Sequence, residues 1–199
     1  MPYNSNPDPY IDVETGTLKN LLGIASEEEL EEAEADITYA AIASMPEESA
    51  LGEFNLEHIQ NIHWELFNTI YDWAGEIRTV EISKGSTRFA NADMVKQAAA
   101  TLFRGLHDED LLRQLPRDQY VQRLVHYYSE INVLHPFREG NGRTQRTFFS
   151  QLAAAEGYHF AWERIDTDKN IRACIAAYDG DEAPLAEMLD ELLEQEGES

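Results

Sequence analysis

The twelve residues from His135 to Arg146 combine side chains that could accept a proton, hold a metal and bind phosphate. Gly140 and Gly142 free the backbone for positive φ, and Asn141 between them can adopt that conformation or cap a helix. Successive N–H groups in such a turn point inwards and bind an anion, and the helix that follows adds the positive end of its dipole. The pattern therefore predicts a phosphate-binding cradle.

The charged side chains of this segment fit a metal-assisted transfer. Arg143 and Arg146 are three residues apart, so both lie on one side of the first helical turn. Glu139 is a single carboxylate at the edge of the cradle, and Mg²⁺ in nucleotide sites takes one or two carboxylates besides phosphate oxygens. His135 is the group that accepts a proton near neutral pH. The structural alternative is a Gly-Asn-Gly turn between two helices, flanked by solvated arginines.

The surrounding sequence predicts the elements that must position this segment. Helical periodicity predicts helices over 27–45, 56–73, 92–107, 117–134, 143–157, 168–178 and 183–195. Pro136 ends the helix over 117–134, because the residue before a proline avoids helical torsions. Alternating apolar and polar residues over 77–83 predict a strand, with a turn at 84–86 and a short return strand at 87–89. The segment thus lies between two helices, with one hairpin nearby.

Length and composition fit a single packed domain, since 43% of the 199 residues are hydrophobic. The formal net charge of −23 argues against non-specific binding to nucleic acid or to an anionic membrane. Residues 78–146 nevertheless hold 11 of the 15 basic residues and eight acids, which allows an anion site there. A single cysteine excludes an intrachain disulfide, and the polar start without a long apolar run leads us to expect a cytoplasmic protein.

The twelve-residue segment resembles the signature of the Fic family, His-Pro-Phe-x-[Asp/Glu]-Gly-Asn-Gly-Arg-x-x-Arg, at every fixed position. Residues 71–75 and 127–132 are also similar to stand-alone bacterial Fic proteins, and the resemblance extends from about Asp8 to Leu193. It implies an all-α helical bundle with one small β-hairpin flap beside the active site. The expected organisation is an N-terminal arm over 1–25 and a single Fic domain over 26–199, with the flap at about 77–90.

The resemblance implies a protein adenylyltransferase, which moves AMP from ATP to a Ser, Thr or Tyr hydroxyl of a target protein and releases pyrophosphate. His135 would deprotonate that hydroxyl, and Glu139 would hold Mg²⁺. The phosphates would be bound by Gly140, Asn141, Gly142, Arg143 and Arg146. Gly142 favours nucleotidyl transfer, because the phosphorylating Doc branch of the family has a lysine in place of this glycine.

Two further regions carry roles that the resemblance implies. The flap residues would pair with an extended target segment and cover the nucleotide; they are Lys84, Gly85, Ser86 and Thr87. Asn170 and Tyr178 fall roughly where the family contacts adenosine. The alternatives are a purely structural hairpin and, for Tyr178, an ordinary core aromatic.

Regulation is the remaining expectation. The self-inhibitory pattern [Ser/Thr]-x-x-x-Glu-[Gly/Asn] of many Fic proteins does not occur in this sequence. We therefore expect the toxin of a toxin–antitoxin pair, with a small antitoxin protein supplying an inhibitory Glu to Arg146. Some toxins of this subclass modify type II topoisomerase subunits. Two alternatives stay open, a transferase using another nucleotide such as UTP and a non-catalytic protein-binding adaptor.

Overall fold

A computed structural model describes residues 8–45, 52–85 and 87–195 of the 199. The described part is a bundle of seven α-helices with two small antiparallel sheets, which confirms the predicted all-α fold with a hairpin flap. In chain order the elements are α1 (Glu27–Ser44), α2 (Leu56–Phe67), β1 (Ser83–Lys84), β2 (Thr87–Arg88), α3 (Val95–Asp108), α4 (Arg117–Leu134), α5 (Asn141–Ala154), β3 (Tyr158–Phe160), α6 (Thr167–Tyr178), α7 (Ala183–Leu192) and β4 (Leu193–Gln195).

Helices α4 and α5 form the centre of the bundle and carry the twelve-residue segment between them. Helix α5 packs on both α2 and α4, and α1 covers α2 on the outer side. The apolar face of α4 is buried; it includes Tyr120, Val121, Leu124, Tyr128, Ile131 and Leu134. The segment thus rests on two helices whose faces lie in the core. In the stretches that the structure describes, no helix is long and apolar enough to cross a membrane.

Several predicted helices differ from the structure at one end or both. The helix predicted over 56–73 ends at Phe67, where the Asn68 side chain bonds the Trp64 carbonyl and competes with the helical backbone. The helix predicted over 183–195 ends at Leu192, because 193–195 pair with 158–160 in a second small sheet. The helix predicted over 143–157 is shifted towards the N-terminus, to 141–154.

The predicted strand over 77–83 was largely wrong. Only Ser83 and Lys84 pair with the return strand, in register with Arg88 and Thr87. Residues 77–82, which lead into the hairpin and form its stem with residues 89 and 90, do not pair with the return strand. The Arg78 N–H instead donates to the Pro136 carbonyl at 2.9 Å. The alternating segment is therefore an extended stretch that bonds the residues at the end of α4, and it does not form a long hairpin.

Candidate active site

The loop between α4 and α5 has a fixed backbone with two left-handed residues. His135 ends α4 with φ 43°, and Gly140 precedes α5 with φ 77°. The Asn141 side chain accepts from the Phe137 N–H and donates to the Phe137 carbonyl, both at 2.9 Å. Asn141 therefore closes the loop through its side chain, and its backbone begins α5.

His63 of α2 contacts the loop between α4 and α5 through its ring and one of its ring nitrogens. Its ring stacks on the fully buried Phe137, with ring centroids 3.9 Å apart. Its Nδ1 accepts from the Gly75 N–H at 2.8 Å, so Nε2 carries the proton and donates to the Glu139 carbonyl at 3.0 Å. The sequence patterns did not single out His63. Its place on the apolar face of α2, beside Ile59, Ile62 and Phe67, was the available signal.

Because His63 is buried in its neutral form, the free energy of unfolding should depend on pH. Burial lowers the pKa of His63 from 6.5 to about 4. As the pH falls below 6.5, the unfolded chain binds the proton first, so the unfolding free energy falls until about pH 4. We expect His63→Gln to remove about 3 kcal/mol of this pH dependence, measured by urea denaturation at pH 7.5 and pH 4.5. His126→Gln is the control, and an unchanged pH dependence in His63→Gln would contradict the assignment.

The His135 imidazole is neutral and oriented. Its Nδ1 lies 3.1 Å from the Asn132 carbonyl, so Nδ1 donates and Nε2 is the proton acceptor. Burial lowers the pKa of His135 to about 4, and the positive charges of Arg78 and Lys84 act in the same direction. The ring stacks on Phe89, just after the hairpin, at 3.7 Å between centroids. An acceptor held in this way can take a proton from a hydroxyl at pH 7.

Arg143 is held by a buried carboxylate on α1. Glu34 is 4% exposed, pairs with the Arg143 guanidinium and accepts from the Tyr71 hydroxyl. The Arg143 guanidinium also lies 4.9 Å above the Phe67 ring. The sequence did not single out Glu34 in its acidic helix. It follows Leu30 by four residues, and this shared face was the signal that could have found it.

A cleft of about 680 Å³ lies beside the loop. One wall is formed by the carboxylate of Glu139 and four cations, Lys84, Arg138, Arg143 and Arg146. The other wall is formed by α1 and by residues 11 and 16–18 of the arm. The structure thus brings the predicted phosphate-binding arginines, the metal candidate and one flap residue to a single cleft. An ion pair of 2.9 Å between Asp8 and Arg138 fixes the arm to the loop.

The other predicted site residues take three different places. In the flap, Gly85 turns with φ 59° beside Lys84 and Thr87, and Ser86 lies outside the described residues. Asn170 and Tyr178 are on α6 and are not among the residues that line the cleft. The adenosine pocket therefore stays a prediction. His135 is also not among the residues that line the cleft, and one face of its ring stacks on Phe89.

The surroundings of Glu139 show whether this site could hold a metal ion. Its Oε1 accepts from the Gly140 N–H at 2.9 Å and lies 4.0 Å from the Arg143 guanidinium. Among the described residues, no group of three or more His, Cys, Asp or Glu side chains could hold a metal ion. A single carboxylate beside arginines that bind anions fits Mg²⁺ only where phosphate oxygens complete its shell.

Comparisons with known proteins show which family this chain resembles. The family model described as Fic/DOC family matches residues 53–153. "Protein adenylyltransferase VbhT" of Bartonella schoenbuchensis is 41% identical over 89% of this chain, but the chain spans only 37% of that protein. "Probable protein adenylyltransferase Fic" of Escherichia coli K12 is 35% identical over 99% of this chain and 98% of its own length.

Solved structures show the same fold. The N-terminal Fic domain of a VirB-translocated Bep effector protein from Bartonella quintana, with bound ADP, has a TM-score of 0.87 and 26% identity, over 94% of this chain and 95% of that one. BepC of Bartonella tribocorum, with bound AMPPNP, has a TM-score of 0.85 and 23% identity, over 94% of this chain and 97% of that one. With a family match over half of its length and a relative covered almost end to end, the chain belongs to the Fic/DOC family.

Proposed function

We propose that the chain is a protein adenylyltransferase that moves AMP from ATP to a Ser, Thr or Tyr hydroxyl of a target protein. The observation that carries this proposal is the orientation of His135: its Nδ1 donates to the Asn132 carbonyl, so Nε2 is the proton acceptor, at the start of the loop that leads into the N-terminus of α5. Arg143 and Arg146 on that helix line a cleft large enough for a nucleotide. The names of the two curated relatives support the same activity.

The chemistry follows from the placement of these groups. His135 takes the proton of the target hydroxyl, whose oxygen attacks the α-phosphorus of ATP, while the bond to the β-phosphate oxygen breaks and pyrophosphate leaves. The first N–H groups of α5, from Asn141 and Gly142 onwards, have no carbonyl partner within the helix and can bind phosphate oxygens. With Arg143 and Arg146 they stabilise the negative charge that develops during transfer.

Glu139 is our candidate ligand for Mg²⁺. Its carboxylate faces the same cleft as the arginines, and bound Mg²⁺ would neutralise charge on the phosphates. Lys84 of the flap also lines this cleft, which supports a role for residues 84–87 in covering the nucleotide and docking an extended target segment. We assign the adenosine contact to Asn170 and Tyr178, so choice between ATP and UTP would depend on them.

We infer that inhibition comes from outside the chain. Arg143 is neutralised by Glu34, whereas no carboxylate in the described ranges lies within ion-pair distance of Arg146. A small antitoxin protein that supplies a Glu to Arg146 would complete this arrangement and would make the chain the toxin of a pair. Co-purification with the product of a neighbouring gene tests this inference. An isolated chain that is fully active, non-toxic and without such a partner would contradict it.

Labelled ATP tests the activity, because AMP transfer leaves the α-phosphorus on the target and phosphorylation leaves the γ-phosphorus there. Purified protein is incubated with a bacterial lysate and with ATP labelled at either the α- or the γ-phosphorus, with and without Mg²⁺. We expect protein labelling from α-labelled ATP only, and only with Mg²⁺, with AMP-modified peptides in mass spectra. Labelling from γ-labelled ATP would indicate phosphorylation, labelling from α-labelled UTP alone would indicate another nucleotide, and no labelling would favour an adaptor. Type II topoisomerase subunits are the first purified targets to try.

A further inference from the structure

Arg78 is a buried cation at the point where the flap meets the end of α4. It is 2% exposed and is among the largest fully buried side chains. Its guanidinium donates to the carbonyls of His135 at 2.7 Å and Leu134 at 3.3 Å. It also donates to the carbonyls of Val80 at 2.8 Å and Ala90 at 2.5 Å. One side chain thus joins the last turn of α4 to both sides of the hairpin stem.

The partners of Arg78 are unusual for a buried cation. Buried guanidinium groups are ordinarily paired with carboxylates, because an uncompensated buried charge is costly. In the described chain no carboxylate forms an ion pair with Arg78, and its partners are main-chain oxygens. Two of these belong to the end of α4, where the helix dipole is negative and the last carbonyls lack helical partners. The charge is therefore compensated by the helix that ends at His135.

The same contacts determine where the His135 ring can lie. His135 takes the left-handed conformation, and its carbonyl is held by Arg78. Backbone bonds of 2.9 Å, from Arg78 to Pro136 and from Ala90 to Val133, join the same two segments. Phe89, next to Ala90, stacks on the imidazole. The stem of the flap and the imidazole are therefore fixed to each other.

We propose that Arg78 is a positioning residue that couples the flap to His135. The proposal rests on the proposed transferase activity, in which His135 is the base and the flap docks the target. A target segment paired with Ser83–Lys84 would be held at a set position relative to the imidazole. The nucleotide cradle and Glu139 are not bonded to Arg78, so losing Arg78 should impair transfer much more than nucleotide binding.

Arg78→Met and Arg78→Lys test the proposal in the full chain. The assay uses α-labelled ATP and the same amount of one lysate for every variant. We expect Arg78→Met to lower the maximal labelling rate about 100-fold, which is the loss that a misplaced catalytic group can cause. Arg78→Lys keeps a cation with three donors and should recover about a tenth of the wild-type rate. The apparent KM for ATP should change by less than about threefold, because phosphate binding is untouched.

The matched control is Arg117→Met. Arg117 also ties backbone carbonyls together, those of Asp190 and Leu193, but it lies at the opposite end of α4. Hydrogen exchange gives a readout that does not need activity: the Ala90 amide should exchange faster in Arg78→Met and not in Arg117→Met. The Gly75 amide, bonded to His63, should keep its protection in all variants.

Each outcome has one meaning. Unchanged protection of Ala90, a wild-type labelling rate in Arg78→Met, or equal losses in Arg78→Met and Arg117→Met would overturn the coupling. A rise in the KM for ATP that accounts for the whole loss would also overturn it. If Arg78→Met does not fold, Arg78→Lys carries the same comparisons. If the wild-type protein labels nothing, the proposed function fails, while the exchange experiment still tests the link between the flap and α4.

Discussion

His135→Ala should abolish AMP transfer and leave a folded protein that still binds nucleotide. General base catalysis contributes roughly 10²- to 10⁴-fold, so we expect the labelling rate to fall by about that factor. The fold should survive, because among the described residues the His135 ring has one hydrogen bond, to the Asn132 carbonyl, and stacks on Phe89. The groups that we propose to bind phosphate belong to the start of α5 and do not depend on the imidazole. The rate is measured with α-labelled ATP, and nucleotide affinity is measured by calorimetry with AMPPNP.

The control for this variant is His126→Ala, which removes a half-buried histidine elsewhere on α4. It should label proteins at the wild-type rate. Full AMP transfer by His135→Ala would mean that another group is the base. Loss of AMPPNP binding together with transfer would mean that the ring supports the cradle and not the chemistry.

Gly140→Ala should destabilise the protein and disrupt the cradle. A Cβ at position 140 would lie 2.3 Å from Cζ and 2.5 Å from Cε2 of the fully buried Phe67. Phe67 packs against His63 and lies under the Arg143 guanidinium, so a shift of its ring would move both groups. The left-handed φ of 77° adds a further cost for any side chain. We expect a loss of about 3 kcal/mol in unfolding free energy, measured by urea denaturation.

Two other glycines separate the causes of this loss. Gly157 has φ 74° with nothing within 4 Å of a Cβ, so Gly157→Ala isolates the backbone cost at about 1 kcal/mol. Gly142 has a helical φ, and a Cβ there would lie 3.4 Å from the Arg146 guanidinium. Gly142→Ala should keep its stability. Equal destabilisation by Gly140→Ala and Gly157→Ala would show that the Phe67 contact is unimportant.

Helix α4 shows how much local sequence can specify. Its residues 117–134 were predicted without error, because Pro116 and Pro136 define both ends within the sequence itself. The glycines, arginines and carboxylate of the predicted cradle are likewise close together in the chain, and phosphate binding by them stays a prediction. The structure also places Glu139, Arg143 and Arg146 around one cleft.

The supporting contacts depend on residues that are distant in sequence. Glu34 and Arg143 are 109 positions apart, and His63 and Glu139 are 76 apart. No periodicity within one element could pair them. The strand predicted over 77–83 was wrong because Arg78 bonds the distant end of α4, which takes the stem away from a hairpin partner. Long-range bonds thus decided the two supporting contacts and the failure of the predicted strand.

The ion pair between Asp8 and Arg138 sets an order of events during synthesis. The two residues are 130 positions apart, so the arm is made first and waits for the loop between α4 and α5. Residues 11 and 16–18 line the cleft together with Arg138, Arg143 and Arg146, so the cleft is complete only once these arginines have been made. Contacts of such high sequence separation form late in folding, because a long loop must close first. The cleft therefore matures after the helices, and a growing chain cannot complete it before Arg138 has been made.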